Sequence, residues 1–175
     1  MKRLALFAGI VAIVFATVAV ASAQPKTNFA GTWALDKSKS QGLDQRMQNL
    51  DVTWTITQDD SKISVESKVT GGDAPAGGGG GGRGMGGPRT YALDGKEVTT
   101  DAGGQMGGTN TTKAKWSGST LELSSVRAGN FNGNDFKATT DDKMSLSADG
   151  KTMSVVRHSE SPRGTTDSTM VFNKQ

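Results

Sequence analysis

Residues 52–65 read VTWTITQDDSKISV. Trp54 and Ile56 alternate with Thr53, Thr55 and Thr57, and beyond Asp59-Asp60 the alternation resumes with Ile63 and Val65. A period of two marks a strand with one buried face. The same arrangement recurs around Asp94-Gly95, Gly118-Ser119, Asp149-Gly150 and Pro162-Arg163. A two-residue turn fixes which residues oppose each other, and opposed residues share a face. These turns predict Ile56 facing Ile63, Tyr91 facing Val98, Trp116 facing Leu121, Leu146 facing Met153, and Val155 facing Met170. Each pairing is apolar on apolar. An antiparallel meander with one dry face is expected to close into a barrel.

Ten strands are expected, over 29–36, 52–58, 61–69, 89–94, 96–101, 109–117, 120–128, 134–148, 151–160 and 165–173. Thr, Val, Ile and aromatic residues dominate them. The fold class is all-β: an up-and-down antiparallel barrel of about ten strands, with a short helical or irregular cap. That cap is the 37–51 connector, where Leu43, Met47 and Leu50 recur at helical spacing.

The amino-terminal stretch stands apart. Lys2 and Arg3 precede an apolar run from Leu4 to Val20, and Ala21-Ser22-Ala23 supplies small residues before Gln24. This layout predicts a secretory signal peptide over 1–23, cleaved between Ala23 and Gln24, with a single domain over 24–175. An uncleaved membrane anchor is the alternative. The mature protein is then exported, to the periplasm or the medium, without a membrane span. Two of the 20 Lys and Arg residues leave with the leader, so 18 face 17 acidic residues. A balance of +1 gives no argument for nucleic acid. There is no cysteine, so neither a disulfide nor a lipoprotein anchor is available to hold the chain.

Residues 71–87 are glycine-rich and expected to form a mobile loop, since they bury too little apolar surface to offset their ordering entropy. Successive turns of a meander alternate between the two barrel ends. The tight turns at 59–60, 94–95, 118–119 and 149–150 all fall at one end. The connector, the glycine-rich loop, residues 102–108, Asn130–Asn134 and Ser161–Gly164 fall at the other. Both mature termini return to the tight end, so the first strand is expected to pair with the last and remove the exposed edges. The loose end is the expected mouth.

Asn28-Phe29-Ala30-Gly31-Thr32-Trp33 contains F-x-G-x-W and resembles the start of lipocalins and fatty-acid-binding proteins, the calycin superfamily. Ten strands with a connector over the open end resemble the fatty-acid-binding layout more than the eight-stranded one. Phe29 to Ser40 and Leu146 to Lys151 also resemble exported bacterial lipocalin-like proteins. The resemblance implies a small apolar or amphipathic ligand inside the barrel, and a structural role for Gly31 and Trp33 at its closed end. The last strand departs from the intracellular pattern, because Asp167 to Lys174 contains no Arg-x-Tyr pair.

Arg157 shares the inward phase of Met153 and Val155, where a charge is costly unless paired. Register places Asp142 opposite it on one side and Ser168 on the other. The pair reads either as a buried scaffold or as an anchor for a ligand carboxylate. Arg127 lies inward nearer the mouth, where its stem can snorkel. Trp116 and Trp33 are expected at the closed base, with Trp54 higher and lining the interior. The ligand-binding candidates are therefore Trp54, Arg127, Asp142 and Arg157.

Other motifs carry less. Gly150-Lys151-Thr152 lacks the first glycine of a phosphate loop, since position 145 is Ser. Arg83-Gly84-Met85-Gly86-Gly87 has one arginine and no aromatic residue for RNA. Asn130, Asn132, Asn134 and Asp135 fit a hairpin turn better than a calcium loop. His158, the single histidine, falls on the outward phase without companions for a metal. No G-x-S-x-G elbow is present.

No enzyme activity, cofactor, metal or nucleic-acid partner is expected. The leading reading is an exported, monomeric binding protein for a small apolar or amphipathic ligand. The alternative is a non-catalytic envelope structural or interaction protein with a filled barrel. A membrane barrel would need the reverse of the polar outward set Thr53, Thr55, Glu66, Lys113 and Glu122.

Overall fold

A computed structural model describes residues 27–71, 88–102, 107–131 and 133–175. The expected leader and its cleavage site, nearly all of the glycine-rich stretch, and Gly103 and Gly104 lie outside the described residues.

Ten antiparallel strands and one short helix make up the fold: β1 (Gly31–Leu35), α1 (Gln45–Asn49), β2 (Asp51–Gln58), β3 (Lys62–Thr70), β4 (Arg89–Ala92), β5 (Val98–Asp101), β6 (Thr109–Ser117), β7 (Thr120–Phe131), β8 (Asn134–Leu146), β9 (Thr152–Ser161) and β10 (Gly164–Lys174). Each strand overlaps the segment whose alternation announced it. The helix sits in the connector, where Asp44 caps it by accepting from the Met47 N–H at 2.7 Å. Leu43 and Met47 turn back onto the core.

The sheet order is β4-β3-β2-β1-β10-β9-β8-β7-β6-β5. Strand β1 pairs with β10 as expected, Trp33 opposite Lys174 and Leu35 opposite Phe172. Trp116 opposes Leu121, Leu146 opposes Met153, and Val155 opposes Met170. The inward phase carries the core, with Phe29, Trp33, Ile63, Leu121, Met144, Met153, Met170 and Phe172 all fully buried.

Two expectations need correction. Ile56 opposes Val65, and Ile63 opposes Gln58. The Asp59 carboxylate accepts from the Ser61 N–H, the Ser61 hydroxyl and the Lys62 N–H, while the Asp59 N–H reaches the Lys62 carbonyl at 3.0 Å. These bonds move the tip of the turn to Asp60-Ser61. A shift of two residues leaves the faces unchanged, so the apolar surface remains continuous.

The second correction concerns closure. Tyr91 does not face Val98: β4 pairs only with β3, and β5 only with β6. Pairing the termini therefore did not remove the edges; the barrel is nearly closed, with its break between β4 and β5. Leu93 explains the difference. Its N–H bonds to the Ser61 carbonyl at 2.7 Å, so β4 keeps following β3 instead of folding back through a tight hairpin.

Beyond β1 the connector stays attached to β10. Gln41 and Thr169 exchange two backbone bonds of 2.8 and 2.9 Å, and the Ser40 hydroxyl accepts from the Val171 N–H. Gly42 has φ +68°, and a Cβ there would strike the Asp167 carbonyl. This contact leads the chain toward α1 at the loose end.

Candidate functional site

The inner wall changes character with height, following the strand phase. At the base, Trp33 is wholly buried and its indole N–H donates to the Phe29 carbonyl at 2.9 Å. Gly31 has φ +138°, and the Lys174 ammonium lies 5.2 Å from the Trp33 ring centroid. Trp116 packs against Phe29 with ring centroids 6.2 Å apart, and its buried indole N–H finds no acceptor among the described residues. Trp54 does not stand above Trp33 along the ladder, because the two are direct partners on β1 and β2. Its ring packs on Phe172 at 4.6 Å.

Above this base lies a polar belt. Asp142, Arg157 and Ser168 stand in register across β8, β9 and β10. Arg157 donates from Nε to Asp142 Oδ1 and from a terminal nitrogen to Oδ2, each at 2.7 Å. Its guanidinium carbon lies 5.4 Å from the Trp54 ring centroid. The pair is therefore bidentate and covered by an aromatic face, the geometry that suits guanidinium. Burial works against the charge on Arg157, but the Asp142 carboxylate more than offsets it and holds the group above its ordinary pKa.

The belt continues to the far side of the barrel. Tyr91 on β4 is buried, and that burial pushes its phenol pKa up. The Thr112 hydroxyl donates to the Thr90 carbonyl at 2.7 Å. Thr112, Ser125 and Asp142 are the buried polar residues among those described. Sequence reasoning missed the first two, though parity held the signal: both share the inward phase of Ala114 and Leu123.

Arg127 lies higher still, between Asn110 on β6 and Ala138 on β8. Its guanidinium carbon sits 5.9 Å from the Phe136 ring centroid, and its buried Nε has no acceptor among the described residues. Phe136 occupies the space over Gly129, where a Cβ would lie 2.9 Å from the ring. Arg127 and Arg157 are not brought together. Their partners Ala138 and Asp142 are separated by four residues of β8, about 13 Å at the usual rise.

His158 points outward as expected. Its Nδ1 lies 2.6 Å from Asp167 and its Nε2 3.3 Å from Glu160, and these carboxylates, Asp167 first, raise its pKa. Asp141 stands opposite it on β8. Among the described residues, no group of three or more His, Cys, Asp or Glu could hold a metal ion.

No protein-family model matches this sequence, and no curated protein matches it. The crystal structure of zebrafish ileal bile acid-binding protein complexed with cholic acid matches in three dimensions, with a TM-score of 0.52. The identity is 12%, and the match covers 84% of this chain and 98% of that one. At this identity the likeness speaks for the fold alone. Together with the ten-stranded antiparallel order, it gives the chain a calycin fold in the arrangement of the fatty-acid- and bile-acid-binding proteins.

Proposed function

We propose that this protein is an exported, non-catalytic carrier that holds a small amphipathic ligand in its barrel, apolar body toward the base and anionic end toward the mouth. The observation that carries this reading is the buried Arg127 Nε, a cationic donor with no acceptor among the described residues. Leaving such a donor unmet is costly, and a carboxylate or sulfonate would meet it. Arg157 is less available, because two of its nitrogens are committed to Asp142. Among the described residues, the inward phase of β7, β8 and β9 carries Arg127 and Arg157 against Asp142, which favours an anion. The fold likeness to a protein complexed with cholic acid supports the same class of ligand.

The test is native mass spectrometry of residues 24–175 purified from an exporting host, then titration with oleate and with 1-anilinonaphthalene-8-sulfonate. The expected result is a one-to-one adduct and a change in tryptophan emission, carried by Trp54 beside the belt. A bare mass with no saturable response to either probe rejects the carrier and favours the filled-barrel interaction protein. Export is tested by the mature amino terminus, expected at Gln24.

A further inference from the structure

The inner wall from β6 to β10 is built in level rows, because each strand is in register with the next. One row is apolar throughout: Trp116, Leu121, Met144, Val155 and Met170. The next carries Ala114, Leu123, Asp142, Arg157 and Ser168. The row above that consists of hydroxyls alone: Thr112, Ser125, Thr140, Ser159 and Thr166. Exposure grades along it. Thr112 and Ser125 are buried, Thr140 and Ser159 half-buried, and Thr166 exposed. The Thr112 hydroxyl is spent on the Thr90 carbonyl, and Ser159 reaches Thr140 only at 3.5 Å, the outer limit of a hydrogen bond. Below these rows the barrel is solid. Met144, Met153, Val155, Met170 and Phe172 keep none of their surface exposed, so no space large enough for a water molecule borders them. Half-way round the sheet order, β2 and β3 pair Val52 with Val69, and Val69, Leu43 and Met47 pack against the core.

We infer that the ligand of this barrel carries several hydroxyl groups beside its negative charge, and that the row of Ser125, Thr140, Ser159 and Thr166 recognises them. This rests on the carrier reading above and narrows it to a chemical class. A hydrocarbon lying on this wall would take the hydroxyls out of water without giving them partners, which is costly. It would also desolvate the Asp142–Arg157 pair one row below. The solid base keeps it from passing lower. A ligand hydroxyl avoids both costs, because it can accept from one wall hydroxyl and donate to the next. Side chains directly opposed in an antiparallel ladder stand about 5 Å apart, so one ligand hydroxyl between two of them reaches both. Arg127 stands one row higher, between Asn110 and Ala138, and takes the acid. The Val52–Val69 side is left for the hydrocarbon of the ligand. Sugar acids and hydroxylated fatty acids share this chemistry.

The experiment titrates residues 24–175 by calorimetry with two matched pairs of probes, so that hydroxyls are separated from charge and hydrocarbon. 4-Methylumbelliferyl β-D-glucuronide and 4-methylumbelliferyl sulfate share an aromatic body and a negative charge; aleuritate and palmitate share a chain and a carboxylate. The hydroxylated member is expected to bind about tenfold tighter in at least one pair, the scale of the added hydrogen bonds. A preference in the first pair assigns a sugar acid, and one in the second a hydroxylated chain. Thr140→Val with Ser159→Ala should bring that preference down to about one. Thr166→Val, at the exposed end of the row, should lower it in part. Equal affinities within both pairs, or a preference that survives both variants, overturn the inference and leave the hydroxyls to water. If oleate and 1-anilinonaphthalene-8-sulfonate bind while neither pair shows a preference, this inference falls and the carrier stands. If none of the probes binds, the carrier falls with it.

Discussion

Arg157 and Arg127 occupy one inner wall, yet their surroundings give them different work. Arg157 is enclosed by a bidentate carboxylate and an indole, and its side chain keeps 21% of its exposure against 7% for Asp142. Removing one partner strands the other charge. Arg157→Met or Asp142→Asn alone should therefore lower stability by about 3–5 kcal/mol. Replacing both with apolar residues of similar volume should recover most of that loss, as urea unfolding would measure. Arg127→Met should leave the urea midpoint nearly unchanged but weaken binding of an anionic probe about tenfold or more, the scale of a charge-assisted hydrogen bond. Equal weakening by the two arginine substitutions, without loss of stability in either, would assign Arg157 to the ligand as well.

Among the elements, the connector depends most on a single residue. It follows β10 through Gln41 and then passes so close to Asp167 that only a glycine with positive φ fits. Gly42→Ala should cost about 1–3 kcal/mol through backbone strain, and should expose the amides of Gln41 and Thr169 to exchange while β6 and β7 stay protected. At the β2–β3 turn the determinant is Asp59, whose carboxylate accepts from three donors and thereby sets the register two residues away from the one a bare Asp-Asp turn implies. The turn type depends on how one side chain folds back on its own backbone, which hydrophobic parity does not encode. The faces survived the shift because parity is insensitive to even slips.

At the scale of the molecule, several surface carboxylates and one imidazole shape the pH dependence of stability. Asp36 is held well below the usual carboxylate range by hydrogen bonds from Ser38 and Asn173 and by Lys39; Ser61, Lys96 and Ser147 lower Asp59, Asp94 and Asp149 in turn. A carboxylate bound more tightly as the anion stabilises the fold above its ordinary value of 3.8 and loses that contribution as pH falls through its lowered value. His158 acts in the opposite sense. Its raised value makes its contribution complete below 6.5 and lost as pH rises through the folded pKa. His158→Gln should therefore unfold earlier than the unaltered protein at pH 5 and match it at pH 9, read by thermal melts across that range. A difference confined to alkaline pH would refute the assignment. By itself the sequence determined the ten strands, the inward and outward phases, and the alignment of Asp142 with Arg157 and Ser168. Those depend on a local period and on short turns at Gly118-Ser119, Asp149-Gly150 and Pro162-Arg163. Only the tertiary structure decided where the barrel breaks, that the Thr112 hydroxyl reaches the Thr90 carbonyl, and that Gln41 lies along β10. Each joins residues distant in the chain through twist and side-chain bonds, and no local alternation carries that information.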